Sequence, residues 1–129
     1  MIFNKFLVDT DVLVDFLRGE EKAVIYINRH AKKIVISAIS VAELYAGVRE
    51  NEERQELDEF VELFPILPVT IEIAKTGGLY KRDFFKSHQL SLADAIIAAT
   101  AKTYEADLKT LNTKHFTMLK GLKPPYKKV

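Results

Sequence analysis

The sequence predicts an α/β protein with a mostly parallel central sheet flanked by helices, and three observations carry that prediction. Short β-branched runs, such as Ile34-Val35-Ile36-Ser37, alternate with longer segments whose apolar residues recur at helical spacing. The first apolar run, Phe6-Leu7-Val8, stops abruptly at Asp9-Thr10-Asp11 and gives way at once to a helical period. No linker, low-complexity tract or long-period repeat interrupts the pattern, so residues 1–129 read as a single domain, long enough to bury a real core.

Each element has its own signal. After the first strand, Val12, Leu13, Phe16 and Leu17 share a helical face, and Gly19 stops that helix. Val24, Ile25 and Ile27 mark a second helix reaching Arg29-His30, and Ala31-Lys32-Lys33 turns the chain into the central strand at Ile34. A third helix starts at Ser40, with Val41, Leu44, Tyr45 and Val48 as its apolar stripe. Residues 51–64 form a charged helix whose buried line is Leu57, Phe60, Val61 and Phe64; Pro65 ends it. Ile66-Leu67-Pro68-Val69 suits a short edge strand, where proline is tolerated.

In residues 70–86, Ile73, Gly77, Tyr80 and Phe84 recur helically, although Gly77-Gly78 sits in the middle. Each glycine costs about 1 kcal/mol relative to alanine in a helix, so either the helix bends there or another backbone packs close. Residues 91–104 are the most apolar helix, hence a central one, with Asp94 as the charge near its start. Residues 107–112 read as a last short strand, and Lys123-Pro124-Pro125-Tyr126 as an extended tail.

Composition narrows the functional classes. A hydrophobic content of 48% is that of an ordinary globular protein and excludes disorder. The 19 basic and 18 acidic residues leave a net charge of +1, so nucleic acid would have to be met by a local patch rather than a whole-molecule field. With no cysteine, disulfides and thiolate zinc sites are excluded, which suits a reducing compartment. No apolar stretch approaches a membrane span, and the N-terminus lacks a signal-peptide layout; the expectation is a cytoplasmic protein with no membrane association.

Asp9, Glu43, Asp94 and Asn112 share one property: each is expected where a strand or loop gives way to a helix. A local pattern also recurs, in Ile39-Ser40-Val41-Ala42-Glu43 and Leu90-Ser91-Leu92-Ala93-Asp94. Serine followed three residues later by an acid is the capping-box arrangement, and for either acid alone capping is a sufficient explanation. The set asks for more. Helices that follow parallel strands begin on one side of the sheet, beyond the strands' carboxyl ends, where ligands bind. Carboxylates gathered there repel one another unless a cation is present, and an all-oxygen donor set suits Mg²⁺ or Mn²⁺. His30, His88 and His115 are scattered, with no pairing that would suggest zinc. Such a cation activates water and neutralises phosphodiester oxygens, which points to phosphate-ester hydrolysis.

Four stretches, in order, carry a family resemblance: Leu7-Val8-Asp9-Thr10-Asp11-Val12-Leu13, Ile39-Ser40-Val41-Ala42-Glu43-Leu44-Tyr45-Ala46-Gly47, Leu92-Ala93-Asp94-Ala95-Ile96-Ile97-Ala98-Ala99-Thr100-Ala101 and Thr110-Leu111-Asn112-Thr113-Lys114-His115-Phe116. Together they resemble the PIN-domain ribonucleases, in particular the VapC-type toxins of toxin–antitoxin pairs. The resemblance implies a PIN-like fold and an endoribonuclease whose catalytic residues are Asp9, Glu43, Asp94 and Asn112. Asp9, Glu43 and Asp94 would bind Mg²⁺ or Mn²⁺, with Thr110 or Ser40 as hydrogen-bonding supports. Many relatives carry an acid at the position of Asn112 or of His115 and this chain carries neither, so one firmly held cation is expected. Asp11 is either a water-mediated contact or a helix cap.

The resemblance further implies an RNA substrate, a VapB-type antitoxin and a homodimer. Candidate antitoxin surfaces are the 51–64 arm and the helix carrying Tyr80 and Phe84; candidate phosphate contacts are Lys81, Arg82, Lys86, Lys109 and Lys114. Two other readings compete. The Asp9-Thr10-Asp11-Val12 opening also resembles haloacid-dehalogenase-like phosphatases, with Asp9 as nucleophile and Asp11 as acid/base, although the later lysine and paired-acid motif are missing. A non-catalytic interaction module on the same scaffold is the other, since fold alone proves no activity.

Overall fold

The structure, a computed structural model, describes residues 4–88 and 90–127, with the side chains of residues 85–88 outside the description. Four strands make the sheet: β1 (Phe6–Val8), β2 (Ile34–Ser37), β3 (Ile66–Leu67) and β4 (Asp107–Lys109). All pair in parallel in the order β3-β2-β1-β4, as the alternation of strands and helices predicts. β1 is central, aligning Phe6 with Ile34 on one side and with Asp107 on the other. Flanked by strands on both sides, it reads as a continuous apolar run, and Leu7 and Val8 are wholly buried.

Successive residues of a strand face opposite ways, so Val8 and Leu7 seed two cores. Val8 packs with Val12 and Leu13 of α1 (Thr10–Leu17), Ile27 of α2 (Glu21–His30), Leu44 of α3 (Ala38–Ala46), and Leu57 and Phe60 of α4 (Glu52–Glu62). Leu7 packs with Val35, Leu108, Phe116 and the small-residue face of α6 (Leu92–Tyr104), presented by Ile97, Ala98 and Ala101. α5 (Ile71–His88) packs along the length of α6. Among the described residues no helix is long and apolar enough to cross a membrane.

The glycine pair in α5 resolves as close packing. A Cβ at Gly77 would stand 3.0 Å from Ile96 Cγ1, 3.1 Å from its Cα and 3.3 Å from its backbone nitrogen, whereas one at Gly78 would meet open space. Gly77 lets α5 approach the backbone of α6, the helix that carries Asp94.

Several boundaries differ from the sequence expectation. α3 begins at Ala38, not Ser40, because Ser37 at the end of β2 is the cap, accepting from the Ile39 N–H at 3.1 Å. Glu43 therefore lies in the second turn of its helix rather than at a helix start. β4 stops at Lys109, and a short 3-10 turn follows at Thr113–His115. Leu17 is exposed, while Asp15, which the apolar spacing of α1 passes over, is buried. Its partner comes from the tail: the Tyr126 hydroxyl donates to Asp15 Oδ2 at 2.9 Å, which returns the C-terminal segment to α1.

These contacts predict opposite outcomes for neighbouring substitutions. Gly77→Ala forces a methyl group against the Ile96 backbone and should lower stability by about 1–2 kcal/mol, overpacking outweighing the helix-propensity gain. Gly78→Ala meets no obstacle and should raise it by about 0.5–1 kcal/mol. Urea denaturation of the two variants, with unchanged slope, checks the pair.

Candidate functional site

β1 and β4 end side by side, where the Asp9 N–H donates to the Lys109 carbonyl at 2.9 Å. That bond sets Asp9 at the mouth between the strands, with α1 starting immediately after it. Asp9 is only 4% exposed, and each of its oxygens is held. Oδ1 accepts from the Thr10 N–H at 2.8 Å, capping α1, and Oδ2 accepts from the Thr110 hydroxyl at 2.7 Å. Burial and then the charge of Asp11 push its carboxyl up to about 7, with Asp94 adding to the push; the Thr110 and Thr10 bonds pull the other way.

Asp11 is a second centre. Its Oδ1 accepts from the Val12 N–H at 2.7 Å, and its Oδ2 from the Leu111 N–H at 3.0 Å and the Asn112 Nδ2 at 3.2 Å. Burial raises its carboxyl, opposed by the N–H bonds of Leu111 and Val12 and the Thr110 hydroxyl, while Asp15 adds to the rise. Thr110 Oγ1 also accepts from the Asn112 N–H at 3.0 Å. Of the two supports named from sequence, Thr110 thus acts directly on Asp9.

Glu43 is reached through Thr10. Thr10 Oγ1 lies 2.6 Å from Glu43 Oε1 and 2.9 Å from the Oγ of buried Ser40. The hydroxyl has one proton, and the acceptor-only carboxylate takes it. This Thr10 link escapes sequence reading, because it joins residues 33 positions apart with no local signature. Asp94 sits in the first turn of α6, where Ser91 caps by accepting from the Asp94 N–H at 3.0 Å. Its carboxylate faces His115, with Oδ2 3.9 Å from Nδ1.

Asp9 therefore senses Asp94 electrostatically, Glu43 joins through Thr10, and Asn112 attaches to Asp11. The donor set is all oxygen and matches a hard divalent cation, whose charge would offset the repulsion that Asp11 and Asp94 exert on Asp9. As the side chains stand, no three His, Asp or Glu residues among those described are grouped closely enough to hold an ion. Glu43 is exposed and Asp94 half-buried.

Glu43 also borders a cavity of about 940 Å³ between α1, α3 and α4, lined by Glu50, Glu52, Glu53 and Glu56 together with Arg18 and Arg49, the last paired with Glu53 at 2.9 Å. The expected phosphate contacts fare unevenly. Lys81 Nζ donates to the Leu90 carbonyl at 2.7 Å, Arg82 pairs with Asp83 at 2.7 Å, and Lys109 Nζ lies 4.5 Å over the Phe6 ring. Lys114 is exposed beside Asn112, and the Lys86 side chain falls outside the described residues. Tyr80 and Phe84, half-buried, pack edge to face at 6.1 Å.

A parallel sheet presenting acids at its strand ends defines a class shared with known proteins. The family model described as "PIN domain" matches residues 6–119, and the chain belongs to the PIN-domain family. It is 40% identical over 124 residues to "Ribonuclease VapC19" of Mycobacterium tuberculosis, covering 93% of this chain and 98% of that one. "Ribonuclease VapC1" of Methanocaldococcus jannaschii is 34% identical over 126 residues, with 93% and 86% covered. A solved "Toxin-antitoxin complex from Klebsiella pneumoniae" contains a chain that superposes with a TM-score of 0.82 at 28% identity, covering 96% of this chain and all of that one.

The site predicts a pH signature in the metal-free protein. Asp9 titrates near 7 when folded and near 3.8 as a free side chain, so between those values the folded state binds more protons than the unfolded. Stability then falls as pH rises through that window. In chelator, Asp9→Asn should remove this slope and melt higher than the unmodified protein at pH 7.5, with a smaller gain at pH 5. Thermal melts at both pH values check it.

Proposed function

We propose that this chain is a metal-dependent endoribonuclease that hydrolyses RNA phosphodiester bonds, and the toxin member of a VapBC-type pair. The observation that carries the reading is Asp9: a carboxylate buried at a strand end, held on both oxygens, with further acids about it. Identity along nearly the whole length of a protein named a ribonuclease supports the choice of substrate.

Asp9, Glu43 and Asp94 are the residues that would hold Mg²⁺ or Mn²⁺. The cation, when bound, supplies activation of water and neutralisation of charge on the phosphodiester. The chain's own groups do the positioning. Thr110 and the Thr10 N–H fix the two oxygens of Asp9, and the Thr10 hydroxyl orients Glu43. Asn112, exposed at the mouth and neutral, orients the substrate rather than anchoring a second cation, and the exposed Lys114 two residues on would meet a phosphate. The burial of Asp9 weighs against its use as a phosphatase nucleophile, since an attacking oxygen has to be approached in line.

By the same reading the partners are RNA, a VapB-type antitoxin seated in the groove beside Glu43, and a second copy of the chain in a homodimer. The compartment is the cytoplasm, where an RNA substrate is present.

Asp94→Asn tests the assignment. Metal-dependent RNA cleavage should fall about a hundredfold or more, as when a group acting directly on the reacting charge is lost. Because one of several crowded charges is removed, the metal-free variant should melt no lower than the unmodified protein. Cleavage by the purified variant at the unmodified rate would overturn the catalytic role.

A further inference from the structure

We propose that Asp11 is a positioning residue: it clamps the Thr110–Asn112 loop to the start of α1, and is not itself a ligand of the cation. The inference rests on the proposed nuclease reading only for what the loop positions; the clamp is a matter of geometry.

An ionised carboxylate offers about four lone-pair directions. In Asp11 three are met by N–H donors, from Val12 at 2.7 Å, Leu111 at 3.0 Å and the Asn112 side chain at 3.2 Å. Oδ2 has both of its directions filled, by Leu111 and Asn112, and Thr110 Oγ1 stands a further 3.3 Å from it, its single proton going to the shorter bond with Asp9 at 2.7 Å; the direction left over is on Oδ1. A cation would have to displace the Leu111 and Asn112 donors to reach Oδ2, or share Oδ1 with the Val12 N–H, and Mg²⁺ tolerates little departure from its own geometry. Glu43 differs in kind, being an exposed carboxylate, and Asp94 has its N–H, not its carboxylate, engaged by the Ser91 cap.

The donors come from two elements far apart in sequence. Val12 belongs to α1, whereas Leu111 and Asn112 lie in the segment that follows β4. That segment also supplies Thr110, which holds Asp9, and Asn112 braces Thr110 in turn through its N–H at 3.0 Å. Release of the loop from Asp11 therefore loosens two groups at once: the support of Asp9 and the side chain of Asn112. With its NH₂ group spent on Asp11, Asn112 has its amide oxygen to offer to a substrate.

Clamp and ligand make different predictions for four variants. Asp11→Asn keeps an oxygen that can accept the Leu111 N–H but loses the charge; Asp11→Ala loses both; Asn112→Ala and its combination with Asp11→Ala are the other two. Three quantities are read: hydrogen exchange at the Leu111 amide, Mn²⁺ affinity of the RNA-free protein by calorimetry, and kcat for RNA cleavage. As a clamp, Asp11→Ala should speed Leu111 exchange about tenfold or more and lower kcat about tenfold, with Mn²⁺ affinity changed less than about threefold. Asp11→Asn should hold Leu111 exchange and Mn²⁺ affinity within about threefold of the unmodified protein and lower kcat less than Asp11→Ala does, since its NH₂ group has to face the Val12 N–H. The double variant should be no slower than the slower of Asp11→Ala and Asn112→Ala, since the two residues act as one unit.

An Mn²⁺ affinity reduced about tenfold or more in Asp11→Asn would make Asp11 a ligand and overturn the proposal. So would unchanged Leu111 exchange in Asp11→Ala. An unmodified protein that bound no Mn²⁺ would defeat the nuclease reading instead, and Leu111 exchange would still judge the clamp.

Discussion

The structure depends on the burial of one carboxylate. Asp9 ends the central strand, sits almost out of reach of water, and accepts from the backbone of its own helix and from Thr110 on the neighbouring strand's exit. Breaking either bond would leave a buried oxygen without a donor, at a cost of about 1–3 kcal/mol or more for a charged group. That constraint joins β1, α1 and the loop after β4 into one unit. Without a cation the same burial presses Asp9 toward protonation, so the fold stores a demand for positive charge at this point.

The rest of the fold brings partners to that point. Because the sheet is parallel, the chain leaves β1, β2 and β4 on the same side, and α3 follows β2 without a loop. This brings Glu43 within reach of Thr10, two turns of chemistry away from the Ser37 cap that starts its helix. On the other face, the approach of α5 to α6 at Gly77 fixes the helix whose first turn carries Asp94. Family membership follows from the whole pattern along residues 6–119, and the segment beyond it is tied down separately, by Tyr126 on Asp15 and by Lys22 Nζ on the Lys127 carbonyl at 2.6 Å.

Much of this was legible in the sequence because it is local or periodic. The strand ending at Asp9, the buried lines of α1, α4 and α6, and the parallel alternation all leave a repeating apolar trace. What was hidden is pairwise and distant. Ser40 and Ser37 each precede an apolar stretch, and only the structure reveals that Ser37 caps while Ser40 is buried against Thr10. The burial of Asp15 has no signal in the sequence, since nothing near it announces a tyrosine 111 positions away. Asp11 admitted a capping role on sequence grounds; its ties to Leu111 and Asn112 depend on strand order. Gly77 and Gly78 are identical as letters and opposite in surroundings.

The central claim is that the crevice beside Asp9 is where a divalent cation enters. Mn²⁺ added substoichiometrically to the isotope-labelled, RNA-free protein broadens the resonances nearest the ion, and the map of that broadening is the most direct measurement. The account predicts loss of signal centred on Asp9, Thr10, Glu43 and Asp94, with the Glu50–Glu56 wall of the groove retained. Broadening centred on that wall, with the amides of Asp9 and Thr10 left sharp, would contradict it.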